Sequence, residues 1–303
     1  MRVEAKAAER GCRSWLAVLV IALPALAGCD TAKAESRWRT VTSSRLSTIT
    51  SLIRTPEFEA AAPGCSVGMS RIQSYCVDRF EATLVEVGPD GEETPHPAFE
   101  PPVEGVRYEA RSRLGELPQG YISRVQAAAA CENAGKRLCS ASEWYEACRG
   151  KDHKTYPYGN EYVKDKCNMS KLHLLSKFFG NDPLGWQFDK HFNSPRLNLE
   201  PGFLAHTGDY TGCVSSYGTH DMVGNLHEWV ADTVDHTLET KLSMFDGVRR
   251  SIHKNIGHGV FMGGFYSTTA QQGQGCNYIT LAHEARYHDY STGFRCCSDA
   301  KDR

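Results

Sequence analysis

Apolar and polar positions follow several different rhythms along this 303-residue chain. Trp15 to Leu26 is an apolar run of twelve, preceded by the basic Arg2, Lys6, Arg10 and Arg13. Such a run is short for a bilayer span and has the length of a signal-peptide core. Leu46, Ile49, Leu52 and Ile53 then recur at helical spacing within Val41 to Arg54. The Ser, Thr, Arg and Ala around them suit a spacer better than a packed helix. From Cys65 the texture changes. Tyr75 to Ala82 is a β-rich run, and residues 88–105, with Gly88-Pro89-Asp90-Gly91 and further prolines, form a loop or irregular hairpin. Ser123 with Gln126, and Ser140 with Glu143, make two capping boxes. The first opens a helix through Asn133 that Gly135 can end, the second a helix through Cys148 that Gly150 can end. Residues 151–219 carry little pattern, and no secondary structure can be placed from Lys171 to Pro201. Glu228 to Asp232 then reads as a strand, and Gly259 to Tyr266 as another with a bend at Gly263-Gly264.

Composition adds three things. The hydrophobic fraction of 41% and aromatic fraction of 10% suit a globular core, and the formal net charge of −2 gives no reason to expect nucleic acid. The apolar run ends in Leu26-Ala27-Gly28-Cys29, a pattern that resembles the lipobox of bacterial lipoproteins, in which the cysteine carries the lipid. The expectation is a signal peptide over 1–28, a lipidated Cys29 with a tether to residue 63, and one domain over 64–303. The protein would then be exported and membrane-anchored, facing the periplasm or cell surface. Asp30 resembles an inner-membrane retention signal, a rule that varies between bacterial groups. Of the twelve cysteines, Cys12 lies in the expected signal peptide and Cys29 would be lipidated. The remaining ten form no CxxC pair, so a disulfide framework of up to five bridges is expected rather than zinc.

Candidate chemistry centres on His220 to Asp232, reading HDMVGNLHEWVAD. Asp221 and Glu228 flank Gly224-Asn225, a pair that accepts left-handed backbone, so carboxylates and carbonyls could converge on a hard cation. A surface turn with solvated carboxylates is the plainer alternative. His283-Glu284 followed by His288 looks like a zincin motif, but five-residue spacing puts the histidines about 140° apart on a helix. No Ser-His-Asp signature or phosphate loop is visible.

Five blocks, in order, resemble the formylglycine-generating enzyme (sulfatase-modifying factor) family. They are Gly135-Lys136-Arg137-Leu138 with Glu143-Trp144 and Arg149-Gly150; Tyr156 to Asn160; Asp221 to Asn225 with Glu228-Trp229; Gly263-Gly264; and Gly293-Phe294-Arg295. The resemblance implies an α+β, C-type-lectin-like fold with short twisted sheets, two main helices and much ordered coil. It implies structural calcium held by the carboxylates of Asp221 and Glu228 and the carbonyls of Gly224 and Leu226. A second calcium would begin at Asn168 and Met169, with Asp182, Asp189 and Asp209 as candidates for its other ligands. It also implies bridges Cys131–Cys296 and Cys148–Cys276. Sequence proximity and elimination suggest Cys65–Cys76, Cys139–Cys297 and Cys167–Cys213, while leaving those six open to other pairings.

The family's enzymes oxidise a substrate cysteine with molecular oxygen through two cysteines that hold copper(I). The corresponding positions here are Thr268 and Gly273, and Gly264 to Gly275 contains no cysteine. Phe265 stands where the family has serine, and His227 where it has tryptophan. Those departures make His227, Phe265 and Thr268 a possible altered pocket without catalytic residues. Copper is not expected; it would require Cys276 to be free, with His227 or His283 as helper. The reading is a non-catalytic binding or structural module for an envelope protein, peptide or glycan; the alternative is an oxidoreductase working through other residues.

Overall fold

The computed structural model describes residues 61–235, 237–238, 255–270 and 274–301. The expected signal peptide, Cys29 and nearly all of the tether lie outside them, as does Gly273.

The β-rich run from Tyr75 to Ala82 is split rather than continuous. Strands β1 (Met69–Ile72) and β2 (Tyr75–Asp78) make a hairpin, and β3 (Ala82–Val87) starts a separate sheet with β4 (Glu93–Pro95) and β5 (Tyr108–Ser112) in the order β4-β3-β5. Both capping boxes form. Ser123 accepts from the Gln126 amide as Gln126 reaches back, opening α1 (Arg124–Asn133), and Ser140 does the same with Glu143 for α2 (Ala141–Arg149). Gly135, at φ +71°, and Gly150, at φ +68°, turn the chain away after each helix.

The short β6 (Arg137–Leu138) joins β11 (Cys296–Asp299), completing a sheet ordered β1-β2-β11-β6 that ties the start of the domain to its end. Adjacent residues of a strand face opposite ways, so Cys296 and Cys297 enter two different cores. Cys296 joins Leu138, Trp229 and α1, while Cys297 joins Ile72, Trp144 and α2. The structure joins Cys65–Cys76, Cys131–Cys296, Cys139–Cys297, Cys148–Cys276 and Cys167–Cys213. Bridges closing long loops, such as the 165-residue separation of Cys131–Cys296, each stabilise by roughly 3–5 kcal/mol when unstrained.

The stretch without readable pattern holds short elements: α3 (Leu174–Phe179), a 3₁₀ turn at Pro183–Gly185 and a π-turn at Phe188–Phe192. Leu174, Leu175 and Leu197 from this stretch are buried with Tyr121, Leu226, Tyr266 and Tyr290 in a third core. These three leucines anchor an otherwise largely exposed insertion in the domain's interior.

The third sheet carries the central stretch. Its order is β10-β7-β8-β9, from β7 (His227–Thr233), β8 (Gly259–Met262), β9 (Ile279–Thr280) and β10 (Thr292–Phe294). β10 runs parallel to β7, setting Gly293 beside Glu228. The expected strand from Gly259 to Tyr266 ends at Met262, because Gly263 and Gly264 both adopt positive φ. A side chain at Gly263 would lie 2.6 Å from the Met222 carbonyl, so this crossing of two backbones depends on glycine.

Candidate functional site

The loop before β7 leads into a fully buried charge cluster. Asp221 and Asn225 take positive φ of 55° and 56°, the short polar side chains tolerating what most residues resist. Gly224 lies against the Asn168 carbonyl, where a Cβ would come within 2.1 Å. Thus the two ligand groups expected from the sequence, Asn168-Met169 and Asp221 to Glu228, meet in one place. The Asn225 amide closes the junction by donating to the Asn168 carbonyl at 2.8 Å.

Glu228 is fully spoken for. Its Oε2 accepts from Arg295 Nε at 2.6 Å and from Trp144 Nε1 at 2.7 Å, and its Oε1 accepts from Arg295 Nη2 at 2.7 Å. Arg295 also donates to the carbonyls of Asp78, Arg79 and His220. Burial alone would lower the Arg295 pKa, but Glu228, Glu81 and Asp221 around it raise it. Glu81 receives the Leu226 amide on one oxygen and Asn225 Nδ2 on the other. Asp221 Oδ2 accepts from the Gly208 amide at 2.7 Å.

Three buried carboxylates therefore share one guanidinium. Burial first, then Glu228 and Asp221, push the Glu81 pKa well above its ordinary value. Burial likewise raises Asp221 to about 7, with Gly208 and Arg295 opposing the shift. The sequence marks Arg295 within the Gly293-Phe294-Arg295 block without giving it this role, and nothing in it points to Glu81.

These positions divide when tested against calcium. Both Glu228 oxygens are engaged, so this carboxylate does not fit a calcium ligand in the observed arrangement. Asn168 fits better. Its Nδ2 donates to the Phe203 carbonyl and to Asn225 Oδ1, which fixes the amide orientation and leaves a buried Oδ1 with no hydrogen-bond partner. Met169 is buried beside it. Of the three other acids considered there, Asp182 caps the 3₁₀ turn through Leu184, Asp189 sits on the π-turn, and Asp209 pairs at the surface with His206.

The altered pocket positions form a packed aromatic group. His227 is buried, stacked on Tyr278 with centroids 5.3 Å apart and in contact with Phe261 and Phe265. Burial, with His283 adding to it, lowers its pKa to about 3, so the ring is neutral at physiological pH. Phe265 meets the rings of His173 and Tyr290, and His173 stacks on Trp186 of the insertion. The backbone closes on itself below: the Phe265 amide donates to Thr268 Oγ1 at 3.0 Å, and the Thr268 amide to the Phe265 carbonyl at 2.8 Å. Cys276 is bonded to Cys148, so it offers no thiolate here. His283 lies in coil against Tyr287, and His288 turns to Asn193, so the zincin-like spacing brings no pair together. Among the described residues, no group of three His, Cys, Asp or Glu side chains is placed to hold a metal.

A sequence profile of the sulfatase-modifying factor enzyme 1-like domain matches residues 66–300. The chain belongs to this family. The fold described above is accordingly the family's C-type-lectin-like one. The chain is 30% identical over 125 residues to the formylglycine-generating enzyme of Mus musculus, covering 40% of this chain and 29% of that protein. It is also 30% identical over 121 residues to the inactive C-alpha-formylglycine-generating enzyme 2 of Mus musculus, covering 39% and 33%. A formylglycine-generating enzyme of Thermomonospora curvata is 28% identical over 195 residues, covering 60% and 55%. The matches thus span about a third of the murine relatives and about half of the bacterial one. Among solved structures, the major tropism determinant P3c variant aligns with 79% of this chain and 54% of its own, at a TM-score of 0.39 and 12% identity.

Proposed function

We propose that this domain is a non-catalytic binding or structural module built on the formylglycine-generating scaffold. The observation that carries the reading is the Cys148–Cys276 bridge. Cys276 is the nearest cysteine after the paired glycines, and sulfur held in a disulfide is no ligand for copper(I). The packing of His227 against Tyr278, Phe261 and Phe265 supports the same reading, since aromatic rings occupy positions that the resemblance assigns to a reaction pocket. A lipid on Cys29 would hold the module at the cell envelope, where a protein, peptide or glycan would be its partner. Calcium would be structural, with the partnerless Asn168 Oδ1 and the surplus of buried carboxylate as its support.

Incubation of the purified protein with copper(I), oxygen and a peptide bearing a Cys-x-Pro-x-Arg motif tests the reading. Mass spectrometry is expected to find the substrate cysteine unchanged. Conversion to formylglycine at a useful rate would establish the alternative, an oxidoreductase acting through other residues.

A further inference from the structure

Away from the charge cluster and the aromatic group, a cavity of about 360 Å³ lies between α1, the loop at residues 102–106 and the segment carrying Arg286 and His288. Its floor is apolar: Leu84, Tyr108 and Ala130 are buried. Its walls are mixed, with Val103, Val106 and Val125 beside Glu104, Gln126 and Asn133. On α1 the exposed positions lining it are Val125 and Ala129, one turn apart, where a solvent-facing helix usually carries charge. Across from them Val103 is 58% exposed, and Val125 is 43% exposed. The shape is held open by the protein's own bonds, since Gln126 Nε2 donates to the Pro102 carbonyl at 3.2 Å and ties loop to helix.

The lining also carries a cation. Arg286 lines the cavity, is exposed, and has no acidic partner among the described residues. His288 stands beside it with Nδ1 committed to Asn193 Oδ1 at 2.8 Å. Pockets of this size that set apolar surface beside placed polar groups are where ligands bind and are oriented. A guanidinium presents a planar fork that matches a carboxylate in two-point contact.

We propose that this groove binds the C-terminus of a peptide, its carboxylate on Arg286 and its last side chain, aliphatic, on the floor of Leu84, Tyr108 and Ala130. The complementary features are the Arg286 cation without an acidic partner among the described residues and the apolar surface of Val103, Val125 and Ala129 in the same cavity. The Glu104 carboxylate on the loop rim can accept N–H groups from the peptide, which a fatty acid would not supply. None of His227, Phe265 or Thr268 lines the groove, so binding here is independent of whether the domain has lost its thiol chemistry.

Fluorescence anisotropy with the full chain and a labelled hexapeptide ending in leucine tests the assignment. The free-acid peptide is expected to bind, and its C-terminal amide to bind roughly tenfold or more weakly, the size expected for losing a charge-assisted contact. Arg286→Gln should weaken the acid as much as amidation does and leave the amide unaffected. Val125→Lys, which places a charge on that apolar surface, should weaken both. Both residues are exposed, so an unchanged melting temperature is the folding control. Equal binding of acid and amide, no binding of either, or no effect of Arg286→Gln would overturn the proposal. Binding of decanoate in place of the peptide would assign the groove to a free fatty acid instead. A negative result leaves the reading of Cys276 untouched, and the copper assay leaves the groove untouched.

Discussion

Arg295 joins segments from both ends of the domain. It neutralises Glu228, and its remaining donors fix three carbonyls from two segments far apart in the chain, those of the adjacent Asp78 and Arg79 and that of His220. Removing one member of a buried ion pair costs about 3–5 kcal/mol, because the other is left charged and unsolvated. Arg295→Met should therefore lower stability by about that amount in chemical denaturation, and Glu228→Gln added to it should recover part of the loss. A double variant no better than Arg295→Met would mean that the guanidinium acts through the carbonyls alone. Asp221 gives a prediction in pH. Its pKa rises from 3.8 to about 7 on folding, so the native state takes up a proton across that interval and the contribution of Asp221 to stability falls as pH rises. His220 and His227 have the opposite sign, burial lowering them to about 4 and about 3, so they favour the fold at higher pH. Comparing Asp221→Asn with the parent separates the two. Asparagine accepts the same φ of 55°, so in chelator the variant should match the parent near pH 4 and melt higher near pH 8. A difference in melting temperature that does not change with pH would remove Asp221 as the titrating group. Calcium, if bound here, should raise the parent's melting temperature more at pH 8 than at pH 5. At this scale the sequence marked Asp221, Glu228 and Asn168 but not how they are used. The orientation of Glu228 is decided by Arg295, 67 residues later, and by Trp144 on α2.

At the level of elements, local chemistry made the two helices legible. Reciprocal bonds between Ser123 and Gln126, and between Ser140 and Glu143, span three residues, so the signal is contained within the sequence window that reads it. Ser140→Ala is expected to destabilise the domain by about 1 kcal/mol, measurable by denaturation, with an unchanged value showing that the Glu143 and Arg137 contacts suffice. The sheets were less legible because their pairings are long-range. β10 beside β7, and β11 between β2 and β6, join segments with no common local pattern. The insertion was opaque for a related reason. Its helical pieces are short, and Leu174, Leu175 and Leu197 find their partners in Tyr266 and Tyr290 rather than in one another's periodicity.

The whole domain is closed by its cysteines. Three bridges link α1, the end of β6 and α2 to the last quarter of the domain, and Cys167–Cys213 fastens the chain on either side of the insertion. The same framework leaves the ten cysteines of the domain without a free thiol, so the loss of copper chemistry we propose would follow from the scaffold itself. Alkylation of the unreduced protein under denaturing conditions, followed by mass spectrometry, tests that directly. The account predicts that all ten cysteines from Cys65 to Cys297 remain unmodified until a reductant is added. Alkylation of Cys148 and Cys276 before reduction would contradict it.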